Sequence, residues 1–422
     1  MNQIVKDFGP DVLGTPADVL LADVAIRVQL SRTDHDKAET RYHAINDWLD
    51  REGSALRGLV QLLYPQGSMA IGATIASKLR TDEFDIDLVT ELALASNTAP
   101  QTVLDLLYGS IRGERGSRYF AMTERRTRCV TVHYADDMHL DVTPAILAPE
   151  YRPKTSRIFH HRPGDPQEPA RSLWANPWGF AEWFKARTPL DHVFSKAYAV
   201  RAGTWDRLMM EKADAAPVPA QQDADEKSKA VIVLQLLKRW RNVRYDKRTG
   251  VRRPPSVMMA KLIADAANQT RTLSEELLLQ AQHMHEVLLA AHRVGRQVHV
   301  ANPVCDADIL TDRWPETLDQ QALFLRDLED LIIKAARLHG ECGLDEMRAI
   351  MADLFGENPT GDVFKSFNEQ MGSRVALGQS SSQRGTGRFD LGKAAVVAPA
   401  TASRPGQPSP ARPHTFFGTR RE

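Results

Sequence analysis

Cysteine is scarce in this chain: three residues in 422, Cys129, Cys305 and Cys342, with no CxxC or HxxxH companion. That spacing argues against a disulfide framework or a zinc site and points to free, buried thiols. Long apolar runs are missing too. None approaches the roughly 20 residues that a membrane span requires. The start, MNQIVKDFGPDVLG, has neither the basic opening nor the apolar stretch of a secretory signal, so a cytoplasmic prokaryotic enzyme is expected. Net charge is absent as well: 54 Lys and Arg balance 54 Asp and Glu. A protein whose main affinity is for duplex DNA backbones would carry an excess of positive charge. A local basic cleft for triphosphates remains compatible with this balance, because it depends on distribution rather than on the total.

The hydrophobic share of 42% and charged share of 26% are those of a globular protein, and 422 residues suffice for two lobes sharing a cleft. Residues 1–54 read as a helical segment, with Tyr42, Ile45, Trp48 and Leu49 at helical spacing. Residues 55–170 read as a small mixed sheet flanked by helices. Its strands are Leu59 to Leu63, Phe84 to Val89, and a hairpin from Arg126 to Ile146 turning at Ala135-Asp136-Asp137. Residues 171–371 read as a helical lobe. Helices are expected over Ser228 to Asn242, from the capping box Thr272-Leu273-Ser274-Glu275 to Arg293, and over Ala322 to Leu338. Ala213 to Asp225 has the composition of a loop. From 372 to 422 Ser, Gly, Ala, Pro and Arg dominate, and such a tail buries too little surface to order itself.

The chemistry concentrates in three places: Gly67-Ser68, Asp85-Ile86-Asp87, and Asp141 on a later strand. Residues two apart on a strand face the same side, about 6.5–7 Å from each other. Carboxylates so placed can bracket two metal ions about 3.5–4 Å apart. Asp141, on a neighbouring strand, can complete the set. Magnesium suits such a site, since it takes hard oxygen ligands and keeps waters for phosphates to replace. Gly67 lets backbone approach a phosphate, and the Ser68 hydroxyl can hold one. An isolated Asp-x-Asp is usually solvated surface. Here the two carboxylates flank Ile86 in a run that continues into Leu88-Val89, and charge beside a buried strand needs compensation.

Pro65-Gln66-Gly67-Ser68, Glu83-Phe84-Asp85-Ile86-Asp87-Leu88-Val89 and His139-Leu140-Asp141-Val142-Thr143-Pro144-Ala145 together resemble the polymerase-beta-like nucleotidyltransferases. Leu236-Leu237-Lys238-Arg239-Trp240-Arg241, Pro255-Ser256, Asn302-Pro303 and Trp314 narrow the resemblance to the bacterial CD-NTases of CBASS antiphage defence. The likeness spans roughly residues 40 to 355. It implies a bilobal α/β (α+β) fold and a synthase of cyclic di- or trinucleotides from ATP and other triphosphates. It also implies two Mg2+ ions on Asp85, Asp87 and Asp141, with triphosphate on Gln66, Gly67, Ser68, Lys238 and Ser256. No counterpart of a zinc-bearing DNA-sensing insertion is present. A HORMA-type regulator that grips the tail around Phe416-Phe417 is a partner this resemblance suggests.

The alternatives are a superfamily member acting on RNA ends or a small acceptor, and an inactive nucleotide-binding scaffold. The basic stretches Arg112 to Arg128 and Lys238 to Arg253 fit a nucleotide cleft, although a solvated face is the plainer reading for most of these residues. For base stacking, Trp240, Tyr245 and Trp314 are candidates, though a core position is the commoner place for each. His160 and His161 could line the cleft.

Overall fold

The computed structural model describes residues 13–76, 84–148, 150–151, 153–164, 169–212, 226–340 and 342–376, with the pairs 381–382, 389–390 and 409–410. The loop expected at 213–225 and the Phe416-Phe417 pair lie outside the described residues. Of the tail, the described parts are the end of the last helix through Ala376 and three two-residue strands that pair antiparallel.

The N-terminal helical segment is two helices, α1 (Pro16–Val28) and α2 (Arg32–Leu49). The break has a local cause. Ser31 caps α2 by accepting from the Asp34 N–H, and Gln29 leaves the helix in extended conformation to bridge Ile75. Thr15 and Asp18 form a reciprocal capping box at the start of α1.

The sheet begins with β1 (Val60–Pro65) and β2 (Phe84–Leu92), paired antiparallel. Three further strands follow helix α3 (Pro100–Arg112): β3 (Thr123–Arg125), β4 (Val130–His133) and β5 (Met138–Leu147). The order is β1-β2-β5-β4-β3, and β5 also pairs β6 (Ser156–His160), which pairs β7 (Arg171–Ala175). Only the β2–β5 pairing among these is parallel, so the sheet is mixed as expected. The β4–β5 hairpin turns where the sequence suggests, with Asp137 at φ +61°. Strand alternation puts Ile86, Leu88, Leu140 and Val142 into one core, against Ile45 and Leu49 of α2 and Leu104 and Leu107 of α3. Asp85, Asp87, His139 and Asp141 are left on the opposite face.

The helical half comprises α4 (Pro177–Arg187), α5 (His192–Lys212), α6 (Lys229–Tyr245), α7 (Ser256–Ala266), α8 (Leu273–Arg293), α9 (Leu318–His339), α10 (Leu344–Phe355) and α11 (Glu357–Ala376). Helix α6 is its axis. The sequence suggests one apolar side, yet every residue from Lys229 to Asn242 is buried, polar ones included. Their heads are held by backbone: Gln235 on Thr74, Lys238 on Ala73 and Arg239 on Phe355. Thr272 caps α8 through the Glu275 N–H as the motif suggests. Helix α1 joins this second core, with Leu20, Leu21 and Val24 wholly buried in it, while α2 joins the sheet core. The three cysteines are free, with Cys305 buried and Cys129 and Cys342 only half-buried.

Candidate active site

Parallel pairing of β2 with β5 sets the geometry. Asp87 is the register partner of Asp141, and Asp85 that of His139. Three carboxylates from two adjacent strands therefore stand on one face. The turn after β1 comes in beside them: the Gln66 N–H donates to the Asp87 carbonyl at 2.8 Å, and Gly67 has φ +57°. A Cβ at 67 would overlap the Asp87 carboxylate, so glycine is needed here for space as well as for conformation. Gln66 Nε2 reaches Thr143 Oγ1 at 3.4 Å.

Burial first, then the nearby Asp141 and Asp85 charges, push the Asp87 carboxyl up to about 7, with Lys238 opposing. Asp85 is exposed, its carboxylate 3.9 Å from His139 Nδ1. Asp141 accepts from Thr131 Oγ1. As a trio the three do not close to within 4.8 Å of one another; the described cluster that does is His35, Asp36 and Glu39, exposed on α2. Like charges sharing a cleft splay in this way.

Structure and sequence diverge at several residues. Lys238 is buried and donates to the Ala73 carbonyl at 2.9 Å, behind the Gly67-Ser68 turn; burial lowers its ammonium to about 7. Ser256 opens α7 and accepts from Arg241 at 2.7 Å. Trp240, Tyr245 and Trp314 are core residues, with Trp240 and Trp314 both against Phe324. They sit on faces that interior packing claims, so none can stack on a base. His160 is buried, its Nδ1 accepting from Arg128 Nε at 3.2 Å. Within the first basic stretch, Arg112 lies over Phe120, Arg125 pairs with Asp105 and Arg126 with Glu124, whereas Arg128 faces the cleft.

A cavity of about 330 Å³ runs from the acidic face into the cleft between sheet and helices. Gln66, Gly67 and Asp87 line it, together with Ile158, Leu173 and Phe180 and with Arg128, Asn302, Asp308 and Asp312. The sequence reading overlooked Thr131 and Asp308, and named Arg128 only within its basic stretch. Thr131 could have been found. A hairpin centred on Asp136 pairs it with Asp141, which is the observed register.

The profile of the Second Messenger Oligonucleotide or Dinucleotide Synthetase domain matches residues 19–159. A cyclic dinucleotide synthase, CdnG of Bradyrhizobium diazoefficiens, is 36% identical over 98% of both chains. The chain belongs to the CD-NTase family. The solved structure of that CdnG with GTP has a TM-score of 0.70 at 34% identity, covering 84% of this CD-NTase and all of that chain. A c-di-GMP synthase of Roseivirga ehrenbergii is 24% identical over 96% of this chain and 98% of its own. The E. coli CdnC structure, solved as a complex with HORMA-deltaN, shares the fold alone (TM-score 0.51, 14% identity, covering 81% and 96%). This CD-NTase is thus a nucleotidyltransferase and a cyclic nucleotide synthase. None of its described helices is long and apolar enough to cross a membrane.

Proposed function

We propose that this CD-NTase joins two ribonucleoside triphosphates, GTP among them, into a cyclic dinucleotide that serves as an alarm signal in the cytoplasm during antiphage defence. The single observation that carries the reading is the in-register pairing of Asp87 with Asp141, two residues from Asp85, beside a glycine turn that admits no side chain. The names of the two synthase relatives support a ring of two nucleotides, and the GTP bound to CdnG supports the substrate.

Asp85, Asp87 and Asp141 would hold divalent metal, and two Mg2+ ions are the proposed complement. The residues fit. Burial and two like-charged neighbours leave Asp87 hard to ionise without a cation, and hard carboxylate oxygens are the ligands that Mg2+ takes. When bound, such ions acidify an attacking ribose hydroxyl and neutralise triphosphate charge. The protein's part is positional. Gly67 lets Asp87 lie against the turn, Thr131 fixes the Asp141 carboxylate, and Gln66 and Ser68 receive the phosphates. Lys238 and Ser256 would join them by exchanging their bonds to Ala73 and Arg241 for phosphate oxygens.

Mass spectrometry of the product made from all four ribonucleoside triphosphates with Mg2+ tests the proposal. A phosphatase-resistant cyclic dinucleotide, absent with Asp87→Asn, is expected. Label transferred to added RNA, with no cyclic product, would refute it. A HORMA-type partner for residues 410–422 is a separate part of the proposal. It fails if deleting them leaves binding of such a regulator unchanged.

A further inference from the structure

The cavity is lined by a further carboxylate that the nucleotidyl-transfer chemistry does not use. Asp308, on strand β8 (Cys305–Ile309), is fixed through one oxygen only: Oδ2 accepts from Asn302 Nδ2 at 2.8 Å and from the Asn176 N–H at 3.0 Å. Both donors are themselves held. Asn302 also donates to the Asn176 carbonyl, and the Asn176 side chain caps α4 while donating to Pro153 and Thr155. Asp308 Oδ1 has no donor among the described residues, and Asp308 lines the cavity. Arg128 shows the complementary pattern. Its Nε is engaged by His160 and its Nη2 by Asp312, while Nη1 has no described partner and the residue lines the same cavity.

We propose that Asp308 selects guanine: its unengaged oxygen accepts from the adjacent N1–H and N2–H groups while Arg128 Nη1 donates to O6. This rests on the reading of the cleft as a triphosphate site. The donor and acceptor logic is specific. Adenine offers an N1 lone pair to the carboxylate and an amino group to the guanidinium, so both contacts become repulsive. Burial raises the Asp308 carboxyl, and a partly desolvated carboxylate left without its donors is what makes rejection of the wrong base strong. Asp308 would thus be a specificity residue, separate from the three carboxylates proposed to hold metal.

The test is equilibrium binding of GTP, inosine triphosphate and ATP to the full chain with Mg2+, before and after Asp308→Asn. Inosine lacks only the N2 amino group. The wild type is expected to bind GTP about ten- to a hundredfold more tightly than either competitor, and the variant to compress both ratios toward one. Ratios within one preparation are insensitive to a fraction of misfolded protein. The proposal is overturned by equal binding in the wild type, by ratios that survive in Asp308→Asn, or by no binding at all. Because the readout is binding, a chain that chooses GTP but makes no cyclic product refutes the synthase reading and leaves this one standing.

Discussion

A Cβ placed on Gly67 would lie 2.8 Å from Asp87 Oδ2, closer than real Cβ contacts come. The turn that approaches the triphosphate and the carboxylate proposed to hold metal thus occupy one tightly shared space, and the left-handed φ of +57° adds a backbone requirement.

Gly67→Ala should therefore lose on two counts. The strained backbone costs about 1–2 kcal/mol of stability. Displacement of Asp87 should lower kcat by more than about tenfold, since small misplacements of reacting groups weigh heavily. Thermal unfolding and product formation measure the two separately. Full activity in a folded variant would show that the close approach is not used.

Asp87 predicts a pH-dependent response to metal. Its carboxyl ionises at about 7 in the fold against 3.8 ordinarily. The folded chain keeps a proton that the unfolded chain has released, so this group's contribution to stability is full below about pH 4 and is lost as pH rises through 7. Divalent metal needs the ionised form and sheds that proton on binding. Added Mg2+ should raise Tm more at about pH 8 than at about pH 6, and Asp87→Asn should flatten the difference. Equal shifts at both pH values in the wild type would remove Asp87 from the metal set.

Thr131→Val keeps the shape of the side chain but deletes the donor to Asp141. The expected result is a kcat lowered roughly tenfold, the value of one hydrogen bond to a charged group, with folding intact. A rise in the Mg2+ concentration needed for half-maximal rate would distinguish a metal-positioning role from a general structural one. An unchanged Mg2+ requirement counts against it.

Arg201 on α5 grips Asp23 of α1 with two bonds inside the helical core. Arg201→Met leaves Asp23 buried and unpaired, and should cost about 3–5 kcal/mol. Pairing it with Asp23→Leu should restore much of the loss. Chemical denaturation of the single and double variants checks both, and additive losses would show that the two residues are not coupled.

The sequence disclosed what depends on alternation and turns. The β4–β5 hairpin, the segregation of Asp85, Asp87 and Asp141 from Ile86, Leu140 and Val142, and the cap at Thr272 all follow from local chemistry. It hid what depends on distant packing. Nothing near Trp240 or Trp314 says that Phe324 covers them, although a core position is the commoner one for such side chains. Lys238 sits in an apolar run, yet its bond to Ala73 joins residues 165 positions apart. Asp308 carries no motif and Arg128 is one of several arginines in a basic stretch, because their meeting in one cavity is made by the fold rather than by spacing. The break at Gln29 was legible only in part. Ser31 is a plain N-cap, but the bridge from Gln29 to Ile75 is long-range.

That break bears on how the enzyme could be divided. The chain gives its first helix to the helical core, its second to the sheet core, completes the sheet, and then returns to the helices. A truncation starting at residue 55 would strip Leu20, Leu21 and Val24 from one interior and Ile45 and Leu49 from the other. Neither half can be produced as an autonomous fragment by a single cut. A split reporter built on this protein would need its first helix fused to the C-terminal piece, a circular rearrangement rather than a bisection.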